Sequence, residues 1–259
     1  MNKILEFKQQ VEQNIAGLGA DKSLAASTWQ WVLDASRHNY SYNFSWMDRP
    51  IIQFPQDMVA MQEIILRTKP DLIIETGIAH GGSLVMSASM LALVDYVDAV
   101  QSGVPLDPRQ CRRRVLGIDI DIRPHNRAAI ETHPMAHRID MIEGSSIAPE
   151  MIAKVQKIAA GYSNVLVCLD SNHTHEHVLA ELEAYAPLTS IGNYCVVFDT
   201  GIEDAPPTMF TDRPWGKGNN PKTAVWEYLK THPEFEIDKR VEHQIMITVA
   251  ADGYLRRVR

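Results

Sequence analysis

The stretch LIIETGIAHGGS, residues 72–83, joins a short apolar run to a turn rich in glycine. A second apolar run, VLVCLD at residues 165–170, leads directly into Ser171, Asn172 and His173. Short apolar runs that end in such turns are typical of strands buried in a parallel sheet. Ligands bind open parallel sheets beyond the carboxyl ends of the strands. The two stretches therefore predict an α/β fold with a ligand site at one edge of its sheet.

Apolar runs alternate with helical patterns along most of the chain. We predict strands near residues 71–75, 115–119, 138–142, 164–170 and 193–199, and helices near 56–68, 83–95, 149–160 and 175–186. This alternation predicts a doubly wound, mostly parallel sheet. The runs at 244–250 and 254–258 flank Asp252-Gly253, which is a strong hairpin signal. We therefore expect seven strands, with an antiparallel hairpin at the C-terminal end.

A single domain is expected from 259 residues, of which 45% are apolar and 22% are charged. Residues 1–55 predict a helical N-terminal cap, because apolar side chains recur there at helical intervals in two runs. Residues 40–50 are aromatic, polar and aperiodic, which indicates a loop. Residues 56–259 predict a Rossmann-like core.

Charge and composition narrow the classes of partner. The net charge of -7 argues against a nucleic-acid partner, which needs a basic surface. The three cysteines are widely spaced and predict reduced thiols. We see no signal peptide and no run that approaches membrane-spanning length, so we expect a cytoplasmic protein without a membrane span. The aromatic residues of the first 50 positions are compatible with a homo-oligomer.

The first turn contains three glycines, Gly77, Gly81 and Gly82, which let the backbone turn sharply and approach a ligand closely. Their spacing is not that of the dinucleotide fingerprint, and a tight turn without a ligand is the alternative. Two acidic residues favour a ligand. Asp119, at the end of the next strand, is placed to accept both ribose hydroxyls of an adenosine group. Glu75 is placed to attract the amino group or sulfonium of S-adenosyl-L-methionine.

Further polar residues follow the later strands. Ser145 and Ser146 are candidates for contact with the adenine edge, and capping of the next helix is the alternative. Asp170 and Asp199 end neighbouring strands, where two carboxylates repel each other unless a cation lies between them. Oxygen ligands of this kind suit Mg²⁺ or Mn²⁺, so both aspartates are candidate metal ligands, with helix capping in separate loops as the alternative.

Three alternating histidines, His173, His175 and His177, resemble the H-x-H-x-D-H metal signature of metallo-hydrolases, although no Asp-His pair follows them. His173 is closest to the strand end and is therefore the candidate functional residue. The other two are expected to be solvated or to cap the following helix. A metallo-hydrolase that uses all three histidines is the alternative.

A long irregular loop spans residues 200–222. Such loops in compact domains are usually lids or mobile segments. Trp215 offers a stacking face, and Lys217 or Asn219 offers a hydrogen-bond donor for a polyhydroxylated ligand. A flexible loop without a binding role is the alternative.

Three segments resemble the cephalosporin hydroxylase/rhamnosyl O-methyltransferase family. They are Glu75-x-Gly77-x-x-x-Gly81-Gly82-Ser83, Asp170-Ser171-x-His173-x-x-x-His177-Val178 and Trp215-Gly216-Lys217-Gly218-Asn219. The resemblance covers residues 35–259 and implies an S-adenosylmethionine-dependent O-methyltransferase, with Ser83 among the cofactor-binding residues. A C-terminal hairpin that closes the sheet is typical of the methyltransferase form of this fold.

The resemblance also implies roles for site residues. Asp170 and Asp199 would hold Mg²⁺, Asp170 would also lie beside the cofactor, and His173 would act as the general base. The acceptor would be a hydroxyl of a sugar or similar polyhydroxylated small molecule, as in natural-product or polysaccharide biosynthesis. Phe198 departs from the family, in which an acidic residue usually precedes the second aspartate.

That departure leaves alternatives open. A third metal ligand would come from water, from Glu203 or Asp204, or from elsewhere, or the metal would be absent. A nicotinamide oxidoreductase and a non-catalytic cofactor-binding partner subunit are further alternatives.

Overall fold

A seven-stranded sheet forms the centre of the molecule, and the computed structural model describes residues 2–259. Two short strands, β1 (Phe44–Trp46) and β2 (Arg49–Ile51), form a separate antiparallel hairpin before it. The strands of the large sheet are β3 (Leu72–Thr76), β4 (Arg114–Asp119), β5 (Ile139–Glu143), β6 (Val165–Leu169), β7 (Tyr194–Val197), β8 (Phe235–Ile237) and β9 (Tyr254–Arg257). Their order is β5-β4-β3-β6-β7-β9-β8. Strands β3 to β7 are parallel, and β9 is antiparallel to both β7 and β8.

Nine α-helices accompany these strands within residues 2–259. They are α1 (Lys3–Ala20), α2 (Lys22–Ser36), α3 (Pro55–Thr68), α4 (Gly82–Ser102), α5 (Pro124–Glu131), α6 (Pro149–Ala159), α7 (His175–Tyr185), α8 (Pro221–Tyr228) and α9 (Lys239–Ile245). Four of them, α3, α5, α6 and α8, begin at proline, whose fixed φ suits the first turn and whose missing N–H leaves no helical bond unmade. The sequence patterns do not predict helices α5, α8 and α9.

The sheet is covered on both faces, which confirms the doubly wound architecture. Every residue of β3 is buried. Ile73 belongs to an apolar cluster with Leu84 of α4 on one face, and Ile74 belongs to a cluster with Leu182 of α7 on the other. Because side chains alternate along a strand, a continuous apolar run is what a strand between two helical layers requires.

The C-terminal antiparallel pair is confirmed, but its predicted strand at 244–250 is wrong. The partner of β9 is β8, and α9 extends to Ile245 before an irregular segment leads through Asp252-Gly253 into β9. The irregular segment bonds elsewhere: Val249 N–H donates to a carboxylate of Asp57 in α3 at 3.1 Å. Backbone groups satisfied by a buried side chain are not available to a sheet ladder.

Helix α4 contradicts the prediction that no run approaches membrane-spanning length. It has 21 residues, and its most apolar 18-residue window has a mean hydropathy of 1.5. In the structure the apolar residues of its first half, from Leu84 to Val94, lie mostly in the core cluster that includes β3, whereas Tyr96 and Val100 are exposed. Its Asp95 pairs with Arg113 and, at 2.5 Å, with the buried Arg138. These are the contacts of a core helix.

The N-terminal cap consists of α1, α2 and the β1–β2 hairpin, and the hairpin lies in the segment predicted to be a loop. Helix α1 packs on α9. The hairpin contacts the start of α4, because a Cβ at Gly82 would lie 2.2 Å from the carbonyl oxygen of Pro50. The cap therefore closes over the carboxyl ends of β3, β6 and β7, where the candidate site lies.

Candidate active site

The first glycine turn is held against the end of β6. Gly77 has a φ of +88°, and a Cβ added there would lie 2.0 Å from the carbonyl oxygen of Asp170. Only glycine combines this left-handed backbone with so close an approach. The absence of a side chain at Gly77 thus brings the ends of β3 and β6 together. Gly81 also has a positive φ, and the space for its Cβ is taken by the Ile130 side chain. The space at Gly82 is taken by Pro50 and Ile51, so both glycines allow close contacts within the protein.

Replacing Gly77 with alanine is expected to lower the free energy of unfolding by about 3 kcal/mol or more, because backbone strain and a clash with the Asp170 carbonyl add together. Urea denaturation measures the change. The matched control is Gly192→Ala, since Gly192 has a φ of +85° but open space around its Cβ position. Equal losses in the two variants would show that the contact with Asp170 contributes nothing.

Glu75 lies at the end of β3 and is only 4% exposed. Its carboxylate accepts a hydrogen bond from the Ser83 hydroxyl. Burial raises the pKa of Glu75 to about 7, and the bond from Ser83 opposes that rise. Ser83 itself lines a cavity of about 140 Å³ together with Gly77 and Asp119. The structure therefore places Glu75 behind Ser83, which forms part of the cavity wall.

Asp119 lies opposite, at the end of β4. Its Oδ2 accepts the N–H groups of Ile78 at 2.7 Å and of Ala79 at 3.3 Å, and its Oδ1 accepts that of Asp121 at 3.1 Å. These bonds attach the glycine turn to β4. Oδ2 thus accepts two hydrogen bonds and Oδ1 one, which leaves Oδ1 with acceptor capacity at the cavity that this residue lines.

Ser145 and Ser146 line an adjoining cavity of about 120 Å³ that also contains Gly77 and Asp119. Ser146 is buried, and its hydroxyl lies 3.1 Å from His177 Nε2. Neither serine caps α6, whose N-cap is Ala148 without a side-chain bond. The capping alternative for these serines is therefore wrong.

Asp170, His173 and Asp199 form a cluster in which one ligand atom from each lies within 4.8 Å of the others. His173 Nε2 is 3.1 Å from Asp199 Oδ2. Two carboxylates and an imidazole are a donor set that fits a divalent cation. The pKa of Asp170 is raised well above its usual range by burial first and then by the charge of Asp199. A cation between these two residues would remove that repulsion.

Asp199 is held in an unusual conformation. Its φ is +56°, a left-handed value, and it makes no side-chain capping bond to the turn at residues 200–204. The capping alternative for Asp199 is therefore wrong, and its carboxylate is left to face Asp170 and His173. Strained residues of this kind concentrate at functional sites.

The other acids considered as ligands are engaged elsewhere. Glu203 accepts from Gly218 N–H at 2.7 Å and from Asn220 Nδ2 at 2.5 Å. Asp204 pairs with Lys222. Phe198 is 3% exposed and belongs to the core. The only third ligand that the described residues place beside the two aspartates is His173.

The three histidines point to three different places. His173 faces Asp199, while His175 Nδ1 lies 2.8 Å from Thr223 Oγ1 on α8. His177 lies in the cavity beside Ser146. The structure does not bring the three together, so it offers no site for the metallo-hydrolase alternative. His177 is half-buried and faces this cavity, with its Nε2 near the hydroxyls of Ser146 and Ser171.

The residues of the long loop have different positions. Trp215 packs edge-on against the His173 ring, with centroids 4.8 Å apart. Lys217 is exposed. The Asn219 side chain accepts a hydrogen bond from the backbone N–H of His175 at 2.9 Å and donates one to the Pro214 carbonyl at 2.8 Å. Trp215 thus joins the cluster, whereas Asn219 uses its amide to fasten the loop to α7.

A larger cavity of about 470 Å³ opens beside the cluster. Asp170, His173 and Asp199 line one side of it, and Trp29 and Val32 of α2 line the other. This cavity and the 140 Å³ cavity share residues on their walls, Asp170 and Gln53 among them. The cavity lined by Ser83 and Asp119 therefore adjoins the cavity lined by the cluster, and we refer to the two together as the cleft.

Sequence reasoning missed the contribution of the cap to this cleft. Trp29 and Val32 lie in α2, one of the two helical runs predicted for residues 1–55, and helical periodicity does not reveal what their side chains face. Gln53 is 6% exposed, and its Oε1 has no hydrogen-bond partner among the described residues. A buried amide oxygen without a partner at the junction of two cavities is suited to a ligand donor. Nothing in the sequence pattern distinguishes it.

The sheet order, the antiparallel β9 and the acidic residue beside the glycine turn define a class, the S-adenosylmethionine-dependent methyltransferases with a doubly wound sheet. The chain belongs to the family described as Rhamnosyl O-methyltransferase/CmcI, whose model matches residues 38–258.

Relatives and solved structures agree with this family. The chain is 28% identical over 226 residues to the rhamnosyl O-methyltransferase of Mycobacterium leprae, covering 85% of this chain and 86% of the relative. It is 31% identical over 206 residues to that of Mycobacterium tuberculosis, covering 78% and 73%. A CmcI structure in its Mg-SAM form aligns with a TM-score of 0.55 at 16% identity, covering 84% of this chain and 78% of CmcI. At that identity it shows the shared fold.

The predicted activity class is therefore confirmed: the protein is an S-adenosylmethionine-dependent O-methyltransferase.

Proposed function

We propose that this enzyme methylates a hydroxyl of a sugar or similar polyhydroxylated small molecule, with a divalent cation and His173 assisting. The observation that carries the proposal is the shared cleft. The cavity lined by Ser83 and Asp119 and the cavity lined by His173 and Asp199 have Asp170 in both walls. A donor held on one side can therefore meet an acceptor held on the other.

The cofactor side is assigned to the ends of β3 and β4. Asp119 would accept the ribose hydroxyls, and the Glu75–Ser83 pair would hold the amino-acid end, where a carboxylate attracts a cation. Ser145, Ser146 and His177 would surround the adenine. S-adenosylmethionine supplies the methyl group when it is bound.

The acceptor side is assigned to the cluster. Asp170 and Asp199 would hold the cation, which when bound would lower the pKa of an acceptor hydroxyl and orient it. His173 then accepts the hydroxyl proton, and the Asp199 carboxylate 3.1 Å away stabilises the imidazolium that results. Trp215 packs perpendicular to the His173 ring and would help to orient it.

A sugar is the favoured acceptor class for two reasons. Two neighbouring hydroxyls can chelate one divalent ion held by oxygen ligands. The sequence relatives are named rhamnosyl O-methyltransferases. The apolar wall formed by Trp29 and Val32 in the larger cavity would contact the less polar face of such a ring.

Titration with S-adenosylhomocysteine, with and without Mg²⁺, tests the cofactor assignment. An assay of methyl transfer with and without EDTA tests the metal assignment. We expect one molecule bound per chain without Mg²⁺, and methyl transfer to a rhamnose-bearing acceptor that falls more than about tenfold when EDTA removes the cation. An acceptor that lacks one of two neighbouring hydroxyls is the matched control and should lose the dependence on Mg²⁺. Absence of S-adenosylhomocysteine binding, or full turnover in EDTA, would contradict the cofactor or the metal assignment respectively.

A further inference from the structure

One carboxylate outside the cleft is fully buried. Asp57 lies in the first turn of α3 and has 0% exposure. Its Oδ1 accepts the hydroxyls of Thr248 at 2.5 Å and Tyr254 at 2.8 Å, and its Oδ2 accepts the N–H of Val249 at 3.1 Å. Three donors from the chain before and within β9 therefore converge on one side chain. Their joint effect is to hold the backbone of Val249 in place.

The carbonyl group of Val249 holds the turn that carries Asp199. Its oxygen accepts the N–H of Gly201 at 3.0 Å and the hydroxyl of Thr200 at 3.2 Å. Asp199 precedes these residues and has a φ of +56°. A non-glycine residue keeps such a backbone only where its surroundings hold it there. The two bonds to the Val249 carbonyl tie this turn to the segment before β9, in addition to the bond from Ile202 N–H to the Asp199 carbonyl at 3.2 Å within the turn.

We propose that Asp57 is a positioning residue for Asp199. Asp57 holds Val249, and Val249 holds the turn that directs the Asp199 carboxylate towards Asp170 and His173. The inference rests on the proposed function, in which that carboxylate binds a divalent cation and faces the base. Residues that orient ligands in this indirect way commonly change metal affinity when they are replaced.

A carboxylate at this position costs stability at neutral pH, and an uncharged side chain of the same shape could not accept all three of its hydrogen bonds. Burial raises the pKa of Asp57 to about 6, and the charge of Asp199 adds to the rise, so at neutral pH the fold retains an ionised group in its interior at a cost. An asparagine side chain of nearly the same size would avoid the charge. It has only one acceptor oxygen, however, and its amide nitrogen cannot accept the N–H of Val249.

The test compares Asp57→Asn with the wild-type chain in three measurements: Mn²⁺ affinity by calorimetry, kcat, and affinity for S-adenosylhomocysteine. We expect Mn²⁺ affinity and kcat to fall by about 10- to 100-fold, with S-adenosylhomocysteine affinity changed less than about twofold. Thr248→Val removes only one of the three donors and should give a smaller loss in the same two quantities. This second variant keeps the test decisive if Asp57→Asn folds poorly.

The matched control is Asp238→Asn. Asp238 accepts the Tyr194 hydroxyl at 2.6 Å and caps α9, so it ties the same C-terminal region to the sheet at the opposite end of β7. Loss of structure alone would affect both variants, whereas a positioning role leaves Mn²⁺ affinity and kcat of Asp238→Asn near the wild-type values. The inference is wrong if Asp57→Asn and Thr248→Val both behave like the wild-type chain, or if Asp238→Asn shows equal losses. Either result would leave the proposed cation site unaffected. A wild-type chain without Mn²⁺ affinity would overturn the proposed cation site together with the inference.

Discussion

Replacing His173 with alanine is expected to lower kcat by about 10²- to 10⁴-fold while leaving the affinity for S-adenosylhomocysteine unchanged. The imidazole lines the larger cavity beside Asp170 and Asp199, and no other histidine of the segment does so within the described residues. An alcohol is a poor nucleophile while it keeps its proton, so losing the acceptor of that proton should slow the chemical step. Single-turnover kinetics and calorimetry measure the two quantities.

The matched control is His175→Ala, two residues further along, since His175 bonds to Thr223 on α8. We expect its kcat to stay within a few-fold of wild type. Mn²⁺ affinity separates the two roles that the geometry allows His173. Unchanged Mn²⁺ affinity in His173→Ala supports the base, and a loss of that affinity supports a metal ligand. A kcat near that of the wild type would contradict both roles.

Replacing Glu75 with glutamine is expected to stabilise the free protein above neutral pH. Burial raises the pKa of Glu75 from an ordinary 4.5 to about 7. Between pH 4.5 and about 7 the folded state keeps a proton on Glu75 that the unfolded state has lost. The wild-type protein therefore has its full stability below pH 4.5 and loses part of it as the pH rises through 7 and the buried carboxylate ionises. The ionised carboxylate then costs about 3 kcal/mol at pH 8. The variant should be more stable than wild type by an amount of that order at pH 8, and by almost nothing at pH 4.5.

The same variant should bind S-adenosylmethionine about 10- to 100-fold more weakly, because a charge-assisted contact to the cationic end of the cofactor is lost. Urea denaturation at the two pH values and calorimetry give both quantities. Glu176→Gln, which removes an exposed glutamate from the first turn of α7, is the control for net charge. A gain in stability without a loss of affinity would show that Glu75 does not contact the cofactor.

Most of the core could be predicted from local pattern. The runs around Ile74 and Val167 are apolar throughout because both faces of their strands are covered, and the helices between them repeat their apolar residues with helical period. The C-terminal end shows where this reasoning fails. Residues 244–250 have the composition of a strand, yet Asp57, nearly 200 residues earlier, takes the bonds of Thr248 and Val249.

The candidate site divides in a similar way. Glu75, Asp119, Asp170 and Asp199 were located because each ends a strand of the predicted parallel sheet, and strand ends of such a sheet meet at one edge. The position of His173 beside Asp199 and the roles of Gln53 and Trp29 in the cleft depend on side-chain directions and on the packing of the cap. Periodicity contains no information about either.

The sequence by itself therefore determined the class of fold, the family and the order of acidic residues along the strand ends, because each follows from short-range pattern and from the geometry that all parallel sheets share. Only the tertiary structure decided what His175 and His177 contact, which strand pairs with β9 and how Asp57 supports the turn of Asp199. These depend on contacts between residues far apart in the chain, whose free energies are set by burial and hydrogen bonding in the completed fold.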